Sequence, residues 1–277
     1  MQVNEAARWA AGQLKSKGVE DPRYNADLLL SHVLGCARDR LYLERTAELT
    51  PEQEARFNAL VWRRLQREPL QYILERQAFM GLDFYVDQRV LIPRADSEVL
   101  AEKLLAVAER RAKPESRILD VCTGSGALAI AIAYYWPDAE VVGTDISAEA
   151  LEVAARNALA AGVRVTWRTG DLLAPAQGEH WDWIMCNPPY VSEPEYQACA
   201  PEILFEPRQA LIGGVDGLDF YRRLAEDTQP FLAQGSRLLL EIGAGQAADV
   251  CVLWRKRGYR TEVFPDLAGR DRVVMVR

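Results

Sequence analysis

Ile118-Leu119-Asp120-Val121-Cys122-Thr123-Gly124-Ser125-Gly126-Ala127-Leu128-Ala129 is the stretch on which the fold turns. An apolar run ends at Val121, two glycines follow, and an alanine-rich, helix-forming segment begins: strand, tight turn, helix. Glycines let backbone approach a ligand closely, and the start of the next helix favours negative charge. Gly124-x-Gly126-x-x-Ala129 satisfies the loose dinucleotide-binding pattern with alanine in third place. Asp145 stands nineteen residues beyond Gly126 at the end of the next apolar run, where a carboxylate can accept from ribose hydroxyls.

Outward from this unit, strands and helices alternate. Candidate strands are Arg117–Val121, Glu140–Asp145, Val163–Arg168, Trp181–Cys186, Ser236–Ile242, Arg260–Phe264 and Asp271–Val276, with helices near 126–136, 147–161, 218–232 and 246–257. The alternation predicts a mainly parallel sheet covered on both faces. Pro265 to Arg270 is too short for a parallel crossover, so the final strand is expected to run antiparallel.

The glycine loop alone is compatible with a nicotinamide cofactor, a sulfonium methyl donor, or a plain tight turn. Two features favour the methyl donor. Asp120, just before the glycines, can accept from an ammonium group, which S-adenosylmethionine has and a dinucleotide lacks. The fourth strand ends in Asn187-Pro188-Pro189-Tyr190, which has no duty in a dehydrogenase. Proline offers a carbonyl without an N–H and fixes its own φ, so this corner is stiff and rich in acceptors. It suits a planar NH2 group, with Asn187 Oδ1 and the Pro188 carbonyl each taking one N–H and Tyr190 available to stack on the amide plane. Gly170-Asp171-Leu172, after the third strand, is expected to bound the adenine.

Before residue 95 the pattern differs. Residues 1–75 read as helices only. Asp21-Pro22 is expected to cap a helix running to Gly35, and Thr50-Pro51-Glu52-Gln53 has capping-box spacing. The helix it starts carries Phe57, Leu60, Val61 and Leu65 on one face, and Arg56, Arg63, Arg64 and Arg67 on the other as a solvated or partner-binding face. Residues 76–94 are expected to form a β-hairpin linker, with strands through Phe79–Val86 and Val90–Ile92 around Asp87-Gln88. Asp96 or Ser97 is expected to cap a helix over 97–112, opening the catalytic domain at 95–277.

The chain has 277 residues, 49% hydrophobic and 26% charged, as in an ordinary globular protein. No apolar run is long enough for a membrane span, and the start lacks the features of a signal peptide. Five scattered cysteines fit free thiols in a reducing, cytoplasmic setting. Two distant histidines and no Cys-x-x-Cys pair argue against a metal site. A net charge of −7 argues against affinity built on phosphate neutralisation, hence against a stable nucleic-acid partner.

These motifs together resemble the HemK/PrmC family, the protein-(glutamine-N5) methyltransferases that modify peptide chain release factors. The resemblance includes Arg67-Glu68-Pro69-Leu70-Gln71-Tyr72-Ile73, Val90-Leu91-Ile92-Pro93-Arg94, Asp120 to Gly126, and Asn187 to Tyr190. Glu206-Pro207-Arg208-Gln209-Ala210-Leu211 and Asp266-Leu267-Ala268-Gly269-Arg270-Asp271-Arg272 complete it. It implies an α/β class I S-adenosylmethionine-dependent methyltransferase fold with seven strands, preceded by a small all-helical substrate-recognition domain. It implies that the partners are class 1 release factors and that the acceptor is the glutamine of their Gly-Gly-Gln loop; separately, a monomer is expected. Cofactor positions map onto Cys122, Thr123, Gly124, Ser125, Gly126, Asp145, Leu172 and Asn187, and substrate positions onto Asn187, Pro188, Pro189 and Tyr190, with Asn187, Pro188 and Tyr190 catalytic. Adenine-N6 nucleic-acid methyltransferases share the Asn-Pro-Pro-Tyr signature and stand as the alternative. Ala95-Asp96-Ser97-Glu98, Cys122 and Leu172 depart from the family's usual residues.

Overall fold

A computed structural model describes residues 1–109 and 115–277. The chain divides into two units: Met1–Glu75 with Ala200–Phe205, and Arg76–Cys199 with Glu206–Arg277. The smaller unit is built from α1 (Val3–Ser16), α2 (Pro22–Leu34), α3 (Arg40–Leu43), α4 (Pro51–Leu65) and α5 (Leu70–Leu74). Ala10, Leu14, Leu29, Leu30, Phe57 and Val61 form its buried centre. Both halves of the expected capping box are present at α4: Thr50 Oγ1 accepts from the Gln53 N–H at 3.2 Å, and Gln53 Oε1 from the Thr50 N–H at 2.9 Å. Gly35 closes α2 in the left-handed conformation.

Two expectations for this unit are corrected. Asp21 occupies the N-cap of α2, but at φ 44° its side chain makes no capping bond. Of the arginines expected on one open face, Arg56 is exposed, but Arg63, Arg64 and Arg67, the last just beyond α4, are not a free face. Arg64 is only 6% exposed, donating to Asn25 Oδ1 at 2.8 Å and to Glu202 Oε1 at 2.8 Å. Arg67 donates to the other oxygen of Glu202 at 2.7 Å, and Arg63 pairs with Glu68. Glu202, far along the chain, was invisible to local pattern.

The larger unit begins with β1 (Gln77–Phe79) and β2 (Leu82–Phe84), an antiparallel hairpin. Its turn is Met80-Gly81, at φ 50° and 73°, not Asp87-Gln88. A two-residue hairpin turn of this kind needs positive φ at both centres, which glycine supplies. Val90–Ile92 is not a strand. Asp87 instead accepts from the Arg89 N–H at 3.0 Å and pairs with the Arg89 guanidinium at 2.7 Å. Next comes α6 (Ala95–Ala108), and the remainder of the expected 97–112 helix reaches outside the described residues. Arg94 is its N-cap, and neither Asp96 nor Ser97 caps it; both lie within its first turn.

The alternating part follows as β3 (Arg117–Val121), α7 (Ala127–Tyr135), β4 (Glu140–Asp145), α8 (Ala148–Ala161), β5 (Thr166–Thr169), β6 (Trp181–Cys186), α9 (Glu193–Gln197), α10 (Asp219–Asp227), β7 (Leu232–Glu241), α11 (Ala247–Arg255), β8 (Thr261–Pro265) and β9 (Asp271–Val276). The seven-stranded sheet has order β5-β4-β3-β6-β7-β9-β8, parallel except for β9, which runs antiparallel to both neighbours. The expected antiparallel final strand is present. The third strand starts later than expected and the fifth earlier.

Side-chain alternation separates two cores. Ile118, Met185, Leu239 and Val273 pack towards α6 and α7, whereas Leu119, Ile184, Leu240 and Val274 pack towards α10 and α11. In the smaller unit, Phe57→Ala is expected to destabilise by about 3–5 kcal/mol and Thr50→Ala by about 1 kcal/mol. Urea denaturation followed by circular dichroism checks this, and the reverse ranking would contradict the packing described.

Candidate active site

The parallel register decides which side chains meet. Val121 of β3 pairs with Cys186 of β6 and with Thr144 of β4. The glycine loop, the Asn187 corner and Asp145 therefore leave neighbouring strands at the same level. The chain reverses direction across the sheet at β3, the place where open α/β sheets take ligands. A cleft opens there, lined by Cys122, Thr123, Gly124, Ser125, Asp145, Asn187 and Pro189. Val90, Pro93, Arg94 and Ser97 line it from the segment between the hairpin and α6.

Asp145 organises the glycine loop. Its Oδ2 accepts from the Gly124 N–H at 2.8 Å and its Oδ1 from the Ser147 N–H at 2.9 Å. Burial pushes its carboxyl up, and these amides pull it back. Each oxygen keeps a lone pair for a further donor. Gly126 begins α7 at φ 80°, and a Cβ there would come within 2.9 Å of Trp167, so backbone and packing both require glycine. Cys122 takes φ 60° without being glycine, and its thiol lies beside that of Cys186.

Asp120 lies beneath this loop, fully buried. Thr123 Oγ1 donates to its Oδ2 at 2.5 Å, while Oδ1 has no hydrogen-bond partner. The Ala129 amide favours the charged form from nearby without reaching Oδ1 in hydrogen-bond geometry. Burial dominates and pushes the carboxyl up to about 7, with Asp145 adding to the rise.

At the corner, Pro188 and Pro189 are buried and Asn187 and Tyr190 half-buried. Asn187 Nδ2 donates to Ser97 Oγ at 3.3 Å. Among the described residues no donor engages Asn187 Oδ1 or the Pro188 carbonyl. Tyr190 turns inward: its hydroxyl donates to Glu241 Oε1 at 3.3 Å, and its carbonyl accepts from Gln246 Nε2 at 3.0 Å. Burial, then the Glu241 charge, holds the Tyr190 phenol protonated. Leu172 is buried at φ 48°, its carbonyl accepting from Thr144 Oγ1 at 3.3 Å; it packs in the core, with its side chain outside the cleft lining.

Several residues that shape the site escaped sequence reasoning in this role. Glu206, 4% exposed, accepts from the Ile92 N–H at 3.0 Å and pairs with Arg94, fixing the Ile-Pro-Arg segment over the cleft. Asn157 donates to the carbonyls of Ser125 at 3.0 Å and Tyr85 at 3.1 Å, tying the glycine loop to the segment after the hairpin. Its signal was an amide on the apolar face of α8. Glu241 is 1% exposed, and its signal was a lone acid in the run Leu238-Leu239-Leu240-Glu241-Ile242. Its Oε2 lacks a partner, and burial pushes the carboxyl up to about 7 although the Ser97 hydroxyl and Arg272 oppose the rise. Ser97 was visible only as a cap.

Two family models match the chain: the PrmC N-terminal domain over residues 5–74, and the methyltransferase small domain over residues 95–214. Among solved structures, a methyltransferase from Pyrococcus furiosus superposes with TM-score 0.53 at 18% identity, covering 72% of this chain and 90% of that one. The hMettl16 catalytic domain, solved with an RNA hairpin, gives TM-score 0.58 at 14% identity over 84% and 83% of the two chains. At such identities these likenesses establish the fold, a methyltransferase fold. The release factor glutamine methyltransferase of Geobacter sulfurreducens is 43% identical over 275 residues, 98% of this chain and 95% of its own length. That of Moorella thermoacetica is 44% identical, covering 98% of this chain and 97% of its own, and that of Deinococcus radiodurans is 38% identical over 100% and 99%. At 38–44% identity along nearly the whole length of this chain and of these relatives, this chain belongs to the release factor glutamine methyltransferase family.

Proposed function

We propose that this protein transfers a methyl group from S-adenosylmethionine to the side-chain amide nitrogen, N5, of the glutamine in the Gly-Gly-Gln loop of class 1 peptide chain release factors. The observation that carries the proposal is the pair of unengaged acceptors, Asn187 Oδ1 and the Pro188 carbonyl, standing at the strand end beside the glycine loop. The residues fit the methyl donor. Asp120 Oδ1 is a buried carboxylate oxygen without a partner, suited to an ammonium group, and Asp145 retains lone pairs for ribose hydroxyls. Cys122, Thr123, Gly124, Ser125 and Gly126 form the wall between these acids. When bound, S-adenosylmethionine supplies a methyl already activated on sulfonium, transferred by in-line displacement.

The chain's own task is to prepare the acceptor nitrogen, whose lone pair is delocalised into the amide carbonyl. With one N–H held by Asn187 Oδ1 and the other by the Pro188 carbonyl, the lone pair is turned towards the methyl. Both bonds strengthen as positive charge grows on nitrogen, so they favour the transition state over the ground state. Pro189 and Tyr190 keep the corner rigid. The methylated nitrogen loses its proton to water, so no strong general base is required. We infer a monomer acting in the cytoplasm, without a stable nucleic-acid partner. Labelled methyl donor offered to release factor and to DNA tests this choice: label in the factor is expected, and label in DNA alone would sink it.

Asn187→Ala is expected to lower kcat by roughly 10²–10³-fold while making S-adenosylmethionine affinity only modestly weaker. Single-turnover assays and calorimetry on the same sample check this, and near-normal turnover would remove Asn187 from the acceptor role. Asp145→Ala has the opposite emphasis, weakening cofactor binding by roughly 10–100-fold through loss of charged hydrogen bonds; an unchanged Kd would refute the ribose assignment.

Because the ligand-free Asp120 carboxyl titrates at about 7, S-adenosylmethionine affinity should depend on pH. A cation at Oδ1 favours the charged carboxylate, so below pH 7 binding must also expel a proton. Affinity should then fall by up to about tenfold per pH unit below 7 and level off above it. Calorimetry across pH 7 is expected to show this slope for the wild type and none for Asp120→Asn; a slope surviving the substitution would contradict the assignment.

A further inference from the structure

An asparagine amide has two faces of opposite function, and only one of them serves the reaction proposed above. Oδ1 accepts, Nδ2 donates, and a half-turn about the last side-chain bond exchanges them with little change in shape. Were Nδ2 to face the cleft, it would repel the acceptor's N–H groups rather than hold them. Nothing in the Asn-Pro-Pro-Tyr backbone decides between the two orientations. The decision is made by what lies behind Asn187.

There, Nδ2 meets Ser97 Oγ at 3.3 Å, and the buried Glu241 carboxylate stands nearby with Oε2 lacking a hydrogen-bond partner, an open acceptor for the Ser97 hydrogen. A serine hydroxyl owns one hydrogen. We propose that Glu241 and Ser97 are positioning residues for methyl transfer: the carboxylate takes the Ser97 hydrogen, leaving Oγ only lone pairs to offer, so that Asn187 must present Nδ2 inward and Oδ1 to the substrate amide. The inference rests on the acceptor role of Asn187 and adds two residues that act through it: Ser97, at the edge of the cleft, and Glu241, outside its lining.

The surroundings of Glu241 fit this duty. The Tyr190 hydroxyl donates to Oε1, so the same carboxylate anchors both ends of the corner. The Tyr221 hydroxyl is spent on the Glu241 backbone carbonyl at 2.8 Å and does not compete. Arg272 supplies a nearby positive charge, but its guanidinium bonds go to Asp266 at 3.2 Å, Asp96 at 3.0 Å and the Ile242 carbonyl at 3.2 Å. Asp96, on the first turn of α6, opposes the carboxylate charge. The balance leaves Glu241 a carboxylate above pH 7 and a carboxylic acid below it. Once protonated it no longer requires the Ser97 hydrogen, which is then free to turn towards Asn187 Oδ1 and stabilise the unproductive orientation.

The test is steady-state methylation of release factor at saturating S-adenosylmethionine. Saturation removes the separate effect of pH on cofactor binding, because a bound ammonium keeps Asp120 charged. Wild-type kcat is expected to fall as pH drops through 7. Ser97→Ala and Glu241→Gln are expected to lose roughly 10–100-fold in kcat at pH 8, with KM and cofactor Kd little changed. Ser97→Thr, which keeps the hydroxyl, should restore most of it. The double variant should be no worse than the poorer single one, since both break one chain of bonds. Glu241→Gln should also lose the acidic limb of the pH profile. Wild-type methylation with an inert Asn187→Ala, but near-normal kcat and an unchanged acidic limb in Ser97→Ala and Glu241→Gln, would overturn this inference alone. No methylation of release factor by the wild type would overturn the functional proposal beneath it.

Discussion

Parallel pairing of β3 with β6 is the constraint on which the rest of the site depends. Because Val121 lies opposite Cys186, the residues just beyond each strand end are forced together: Cys122 to Gly126 from one, Asn187 to Tyr190 from the other. Pairing of β3 with β4 then brings Asp145 alongside. A shift of one residue in either ladder would turn these side chains to the opposite face and separate donor site from acceptor site. That register is held by apolar side chains buried on both faces of the sheet, far from any chemistry.

Two carboxylates within this frame are left incompletely satisfied. Asp120 and Glu241 are each essentially without exposure, each has one oxygen lacking a partner, and each is pushed up to about 7. Burying acids in this way costs stability that a leucine would not. Their positions give the cost a purpose. Asp120 lies under the glycine loop, where a cation is to be received, and Glu241 lies behind the corner, where an amide is to be oriented. Asp266 shows the contrasting case: amides of Arg270 and Ala268, with Arg272, hold its carboxyl below the usual range, and its duty is to close the turn before β9.

The seven strands, the antiparallel last one and the helical first unit were legible because each rests on local periodicity or on a loop too short to cross the sheet. Thr50-Pro51-Glu52-Gln53 was legible as a cap for the same reason. Expectations failed where a residue's partner lies far along the chain. Asp96 and Ser97 have the composition of helix caps, yet Arg272 and Asn187 claim them. Arg64 and Arg67 look like surface charge until Glu202 arrives from more than 130 positions away. The hairpin was misplaced because Asp87-Gln88 resembles a turn, whereas Gly81 supplies the positive φ that the tight turn needs. Asp120, Asp145 and Asn187 were legible individually; that Ser97 and Glu241 stand behind Asn187 follows only from the three-dimensional arrangement.

The central claim is that this corner holds a glutamine amide for methylation. Tandem mass spectrometry of a class 1 release factor incubated with the protein and S-adenosylmethionine tests it most directly. One added methyl on the side-chain nitrogen of the Gly-Gly-Gln glutamine, absent when Asn187→Ala replaces the wild type, is the predicted result. An unmodified glutamine after incubation with active, cofactor-bound protein, or a methyl placed on any other residue, would contradict it.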